Sequence, residues 1–190
     1  YERAADCLAE EVVIATDDER ISAVASGFGG DVLMTSADHT SGTDRIAEVA
    51  GVRGWDDEDV VVNLQGDEPG MPAVLIDQVA DLLVQFPRAQ IATLASPLQS
   101  REEYFDPNVV KLVTDREGRA LYFSRAPIPW PRDSFNQLAV ELPEDVSAEF
   151  DFRRHIGIYA YRTLELNRFV TWPVAPLEDV EKLEQLRFMW

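Results

Sequence analysis

Short β-branched runs and amphipathic helical stretches take turns along this chain, and that alternation is what most restricts its fold. Val12-Val13-Ile14-Ala15 reads as a strand, and Thr16 with Glu19 has capping-box spacing for a helix to about residue 25, closed by Gly27, Gly29 and Gly30. A short strand over 31–34 follows, then a helix over 43–50 with Gly51 as its stop, a strand over 60–64, and a long amphipathic helix over 72–85 that ends before Pro87. Residues 91–95 read as another buried strand and 100–104 as a short helix. Strands separated by helices of this length favour a mostly parallel sheet covered on both faces, a three-layer α/β/α architecture of Rossmann-like type.

The pattern changes after Pro107. Residues 109–114 and 120–124 flank Asp115-Arg116-Glu117-Gly118, which predicts a hairpin and makes the sheet mixed. Pro127, Pro129 and Pro131 then interrupt regular structure, and 132–149 is a polar connection. Strand character returns over 154–161, a short helix fits 163–170, and Leu177, Val180, Leu183, Leu186 and Met189 have the spacing of one helix with a continuous apolar face. No internal repeat or linker marks a boundary, so a single domain is expected over 1–190.

The acidic balance, 35 Asp and Glu against 17 Lys and Arg for a formal charge of -18, argues against sequence-independent binding to nucleic acid or to an anionic membrane surface. An anionic substrate would need locally gathered arginines or a metal ion. Cys7 is the sole cysteine, which leaves no thiolate cage for zinc and suits a reducing compartment such as the cytoplasm. No apolar run approaches the ~18–20 residues that span a bilayer.

Three segments and one arginine carry candidate chemistry, each with a plain structural alternative. In Asn63-Leu64-Gln65-Gly66-Asp67-Glu68-Pro69 an apolar strand stops at two carboxylates, the position where an open α/β sheet collects ligands and where a carboxylate suits a hard divalent cation; an ordinary acidic turn has the same composition. Ala37-Asp38-His39-Thr40-Ser41-Gly42-Thr43-Asp44-Arg45 sets hydroxyls, a glycine and an arginine ahead of a helix, fit for an anion or a nucleotide base, or simply for capping by Ser41 or Thr43. Arg153-Arg154-His155-Ile156-Gly157-Ile158-Tyr159 and Arg125 gather basic groups suited to a carboxylate or phosphate, or to surface ion pairs. His39 and His155 lack metal-ligand spacing, and Gly27-Phe28-Gly29-Gly30 follows a helix, which makes it a C-cap and not a phosphate cradle.

Taken in order, 37–45, Leu64-Gln65-Gly66-Asp67-Glu68-Pro69, Leu121-Tyr122-Phe123-Ser124-Arg125 through Ile128-Pro129-Trp130, His155-Ile156-Gly157-Ile158-Tyr159 and Leu183-Glu184-Gln185-Leu186-Arg187 resemble the 3-deoxy-manno-octulosonate cytidylyltransferases, the CMP-KDO synthetases, across essentially the whole chain. The resemblance implies a nucleotide-diphospho-sugar transferase-like fold and transfer of CMP from CTP to the eight-carbon acid sugar KDO, with release of pyrophosphate, in a Mg²⁺-dependent step of lipopolysaccharide biosynthesis. It implies Asp67 as catalytic metal ligand, and Ser41, Gly42 and Arg45 beside the cytosine and ribose. Gln65, Arg125, His155, Tyr159, Glu184 and Gln185 become the sugar pocket, with Arg125 and His155 meeting the KDO carboxylate. It further implies a homodimer.

The family pattern also includes a triphosphate loop before Tyr1 and a second metal ligand after Trp190, so the expectation is one nucleotidyltransferase domain truncated at both ends and poorly active as it stands. Two other readings remain open at this point. One is a related transferase acting on another sugar acid, such as a CMP-sialic acid synthetase; the other is a non-catalytic binding protein whose acidic turns are solvated loops.

Overall fold

The computed structural model describes residues 1–66, 68–132 and 152–190. In chain order the elements are α1 (Glu2–Ala5), β1 (Val13–Thr16), α2 (Glu19–Gly27), β2 (Asp31–Met34), α3 (Gly42–Arg53), β3 (Val60–Asn63) and α4 (Ala73–Gln85). These are followed by β4 (Ile91–Pro97), α5 (Arg101–Phe105), β5 (Lys111–Thr114), β6 (Ala120–Ser124), β7 (Arg153–Arg162), α6 (Thr163–Phe169) and α7 (Pro176–Glu181), and then a 3₁₀ helix, Glu184–Phe188. The fold is mixed α/β. Two compact units form, one from 1–93 with 157–171 and the other from 94–156 with 172–190; Asp67 and most of the polar connection after Arg132 lie outside the described residues.

In the first unit β1 and β2 pair in parallel, Val13 opposite Asp31 and Thr16 opposite Met34, joined by α2 as a crossover. The cap of α2 differs from the capping box that the spacing suggested. Thr16 is still in the β1 ladder, so Asp18 is the first residue able to turn its carboxylate onto the helix, where it accepts from the Arg20 N–H at 2.8 Å. At the other end Gly29, at φ 81°, and Gly30 return their N–H groups to the Ser26 and Ala25 carbonyls, which makes the glycine cluster a C-cap as expected.

Helix α3 runs two residues past Gly51. Its stop is Gly54, at φ 71°, whose N–H reaches the Ala50 carbonyl at 2.9 Å. Strand β3 pairs antiparallel with β7, Val60 opposite Arg162 and Asn63 opposite Tyr159, and β4 also pairs with β7. The core of this unit takes Val49, Ala50, Val61, Ile76, Val79, Leu83, Ile158, Ala160, Tyr161, Leu166 and Phe169. Val79 and Leu83 come from one face of α4, four residues apart, as the 3.6-residue period requires.

In the second unit β5 pairs antiparallel with β6, Lys111 opposite Ser124, and with β7, Lys111 opposite Arg154. The parallel pair β1–β2 is a two-stranded sheet of its own, while the pairings β3–β7, β5–β6 and β5–β7 are antiparallel. Asp115 closes the β5–β6 turn by accepting from the Glu117 and Arg119 N–H groups at 2.8 and 2.9 Å, and Gly118, at φ 82°, supplies the left-handed residue. One apolar cluster joins Leu112, Phe123, Leu183 and Leu186, and a second joins Leu98, Tyr104 and Phe152.

The helix expected over 177–189 is two pieces. Lys182 sits at φ 53°, between α7 and the 3₁₀ helix. Leu183 and Leu186 stay buried, but Val180 is 80% exposed, so the apolar face read from spacing is not continuous. The break has a tertiary cause: the carbonyls of Glu181 and Lys182, which a helix would keep along its axis, are turned onto the Arg125 guanidinium at 2.7 and 3.3 Å.

Candidate active site

Segment 37–45 forms the entry to α3 in the first unit. Ser41 is the N-cap, its hydroxyl accepting from the Asp44 N–H at 3.1 Å, while Asp44 accepts from the Thr40 hydroxyl at 3.0 Å. Gly42 is exposed at the first helical position, and a Cβ there would meet the Asn63 amide nitrogen at 3.9 Å, an ordinary contact. This places the α3 N-terminus beside the carboxyl end of β3, where the positive end of the helix dipole and the first N–H groups favour an anion or an electron-rich ligand. Asn63 is the neighbour that sequence reasoning did not single out; its position as the last β3 residue is the signal that marks it.

Arg45 spans the ends of the parallel pair. Its guanidinium meets the Asp17 carboxylate at 3.1 Å, the Thr35 hydroxyl and the Ser36 carbonyl at 3.4 Å, so the loops after β1 and β2 are tied to α3. His39 meets Glu48, whose carboxylate also accepts from the Ser36 N–H at 2.9 Å. That N–H first, then His39, outweighs burial and holds the Glu48 carboxyl below its ordinary value. Gln65 is exposed just beyond β3, and its carbonyl accepts from the Glu68 N–H at 3.2 Å. Tyr159, opposite Asn63 in the ladder, stacks on Tyr161 with ring centroids 5.9 Å apart. The first unit thus holds Ser41, Gly42, Arg45, Gln65 and Tyr159.

The second unit holds Arg125, His155, Glu184 and Gln185. Arg125 leaves β6 and turns its fork onto three carbonyls, Glu181 through Nε at 2.7 Å, Pro107 through Nη1 at 2.9 Å and Lys182 through Nη2. Its main-chain N–H donates to the Glu181 carboxylate at 3.0 Å. His155 donates its main-chain N–H to the Val110 carbonyl at 2.8 Å and sets its ring edge-on to Phe123, with centroids 5.1 Å apart. Burial lowers its pKa from 6.5 to about 4. The imidazole is therefore neutral at ordinary pH, and a carboxylate would find in it a hydrogen-bond partner and not a cation. Gln185 is buried in the 3₁₀ helix beside the partly buried Glu184.

The 3₁₀ helix is set by a buried ion pair. Arg187 and Glu178 side chains are only 12% and 10% exposed, with Arg187 Nε donating at 2.7 Å, and Glu178 also accepts from the Ala175 N–H at 3.0 Å. Arg187 is the last residue of the Leu183-Glu184-Gln185-Leu186-Arg187 segment, so the pair fixes how that segment is presented.

Comparison with known proteins identifies the family. The chain matches the cytidylyltransferase family over residues 1–190. It is 55% identical over 190 residues to the 3-deoxy-manno-octulosonate cytidylyltransferase of Hahella chejuensis, covering 100% of this chain and 73% of that protein. The enzyme of the same name from Cellvibrio japonicus is 54% identical over 189 residues, with the same shares covered. A solved structure of CMP:2-keto-3-deoxy-manno-octonic acid synthetase complexed with CTP shares the fold at a TM-score of 0.85, with 37% identity over 100% of this chain and 72% of that one. The chain belongs to the cytidylyltransferase family and, within it, to the 3-deoxy-manno-octulosonate cytidylyltransferases.

Proposed function

We propose that this protein transfers CMP from CTP to 3-deoxy-D-manno-octulosonate, giving CMP-KDO and pyrophosphate for lipopolysaccharide biosynthesis. The observation that carries the reading is identity of 51–55% to curated enzymes of that name along the full 190 residues. In the reaction the anomeric oxygen of the sugar bonds to the α-phosphorus of CTP, the bond from that phosphorus to the bridging oxygen breaks, and the hydroxyl proton leaves to solvent. Catalysis of this kind rests on positioning and charge neutralisation.

The residue roles follow the family resemblance. Ser41 and Gly42 offer the cytidine a helix N-terminus, and Arg45 holds the surrounding loops in register. Arg125, His155, Glu184 and Gln185 of the second unit are assigned to the acid sugar, Arg125 contributing positive charge and His155 a neutral ring nitrogen; Gln65 and Tyr159 of the first unit carry the same assignment. Among the described residues no three His, Cys, Asp or Glu side chains gather as a metal cage. Mg²⁺ does not require one, since it keeps several waters and is held by one or two carboxylates together with substrate phosphates. Asp67 and the CTP phosphates are such a donor set, and a bound Mg²⁺ would supply positive charge against the α-phosphate.

No helix among the described residues is long and apolar enough to cross a membrane. A cytoplasmic homodimer completes the proposal, the first checked by fractionation and the second by light scattering of the full-length protein. The deciding experiment for function is pyrophosphate release by full-length protein given CTP and Mg²⁺ with either KDO or a sialic acid. Release with KDO alone is expected, and release with the sialic acid alone overturns the assignment. Asp67→Asn is expected to weaken Mg²⁺-dependent CTP binding; unchanged binding would favour a non-catalytic scaffold.

A further inference from the structure

Glu181 lies outside the residues assigned above, yet four groups of the second unit converge on it. Its carboxylate accepts from the Ser124 hydroxyl at 2.7 Å, the Arg125 N–H at 3.0 Å and the Tyr122 hydroxyl at 3.4 Å, and its carbonyl receives Arg125 Nε at 2.7 Å. Burial raises the affinity of this carboxyl for a proton, but the bonds from Arg125, Ser124 and Tyr122 outweigh it and leave the pKa below its ordinary value. The side chain is therefore an anion fitted to donors, and it grips the strand end that delivers Arg125.

The opposite side of Arg125 is held just as firmly. Lys111, with no exposed surface, donates from its ammonium to the carbonyls of Asp106 and Val109 at 2.8 and 2.5 Å. That fixes the turn whose Pro107 carbonyl receives Arg125 Nη1 at 2.9 Å and whose Val110 carbonyl receives the His155 N–H at 2.8 Å. Three of the five N–H donors of Arg125 are thereby turned onto carbonyls. A planar fork bonded at Nε, Nη1 and Nη2 has no torsional freedom left, so its remaining donors are aimed as one rigid body.

We propose that Glu181 is a positioning residue for sugar-acid recognition, setting the Arg125 fork by clamping Ser124 and the Arg125 main chain to the Lys182 turn. The proposal rests on the reading of Arg125 as a sugar-binding residue. Removing the carboxylate strips an acceptor from a partly buried N–H and a buried hydroxyl, and loosens the fork.

The test uses the full-length protein with Glu181→Ala, Glu181→Gln and the milder Ser124→Ala, and reads steady-state kinetics together with hydrogen exchange at the Arg125 Nε–H by NMR. In Glu181→Ala the KM for KDO is expected to rise about tenfold, the equivalent of one charge-assisted hydrogen bond, while the KM for CTP stays within about twofold. Nε–H exchange should quicken by a similar factor, Glu181→Gln should restore most of both because its amide oxygen still accepts from the Arg125 N–H, and Ser124→Ala should move both in the same direction. Unchanged Nε–H exchange in Glu181→Ala, or KM values for CTP and KDO that rise together, would overturn the proposal. A wild-type protein that does not turn over KDO removes the functional reading alone, since the exchange measurement still decides whether Glu181 holds Arg125.

Discussion

A histidine held neutral by burial makes acid destabilising in a window that can be calculated. The pKa of His155 is 6.5 as a free group and about 4 in the folded protein, with desolvation as the cause. Between those values the unfolded chain binds a proton that the folded chain refuses, so stability is fully present above pH 6.5 and falls as the pH drops towards 4. At 1.36 kcal/mol for each tenfold change in proton affinity, the gap is worth about 3 kcal/mol. Near pH 5 almost the whole proton is taken up on unfolding, which gives a slope of about 1.2 kcal/mol per pH unit from this one side chain.

The comparison protein is His155→Phe, which keeps an aromatic ring against Phe123 and cannot titrate. Urea unfolding of both proteins at several pH values between 4.5 and 7 gives free energies whose difference isolates the residue. Carboxylates held low by their partners, such as Glu48 beside the Ser36 N–H and His39, also lose their contribution on acidification, but they are common to both proteins and cancel. The expected result is a shallower acid slope in the variant by about 1.2 kcal/mol per pH unit near pH 5. Parallel slopes would refute the reasoning, as would an NMR titration of the His155 ring with a midpoint near 6.5.

Three further outcomes follow from particular contacts. Lys111→Met leaves the Asp106 and Val109 carbonyls without their charged donor, and urea unfolding should show a loss of about 2–4 kcal/mol, whereas a loss under about 0.5 would mean that water replaces the ammonium. Gly51→Ala and Gly54→Ala should have opposite signs in thermal unfolding: Gly51 lies inside α3 with open space at its Cβ, for a gain of up to about 1 kcal/mol, while Gly54 has a positive φ, for a loss of about 1 kcal/mol. Gly42→Ala fits sterically against Asn63 and should leave stability unchanged or slightly raised; a several-fold weaker CTP affinity by calorimetry would then report ligand approach to this glycine, and equal affinity would remove Gly42 from the nucleotide site.

What the sequence makes legible is what short-range physics decides. The strand at 60–64 and the helix at 72–85 sit within a residue of β3 and α4, because continuous β-branched composition and 3.6-residue periodicity act locally. Ser41 caps as its position suggests, and Ser100, read as the first residue of its helix, is the cap instead, each accepting from an N–H three residues on. The misplacements share a cause at longer range. Thr16 is taken from capping by the β1 ladder, and the final helix is broken by a guanidinium 56 residues away in sequence at the Glu181 carbonyl. The charge state of His155 is likewise set by the packing around it, which composition does not reveal. The roles of the candidate residues entered through the resemblance, and Glu181 entered through neither route, since an acidic residue on a C-terminal helix looks solvated until the strand end opposite it is known.

The way this protein holds its cations bears on how so acidic a chain takes an acidic substrate. Arg20, Arg45, Arg53, Arg119, Arg154, Arg162, Arg168, Lys182 and Arg187 each meet a carboxylate, which spends their charge within the fold. Arg125 and Lys111 are mounted differently, with their side-chain nitrogens on backbone carbonyls. A carbonyl fixes a cation's direction without cancelling its net charge, so these two are offset by nearby carboxylates, Glu181 for both and Asp106 for Lys111, and not by a direct side-chain ion pair. Neutral His155 adds a hydrogen-bond partner without a proton to gain or lose above pH 5. If the sugar carboxylate is read by a permanent guanidinium and a neutral imidazole, kcat/KM for KDO should show no inflection near 6.5, because that parameter reports the pKa values of free enzyme and free substrate. An inflection near 6.5 that His155→Phe abolishes would instead make the histidine a cationic partner, and the burial argument would fall with it.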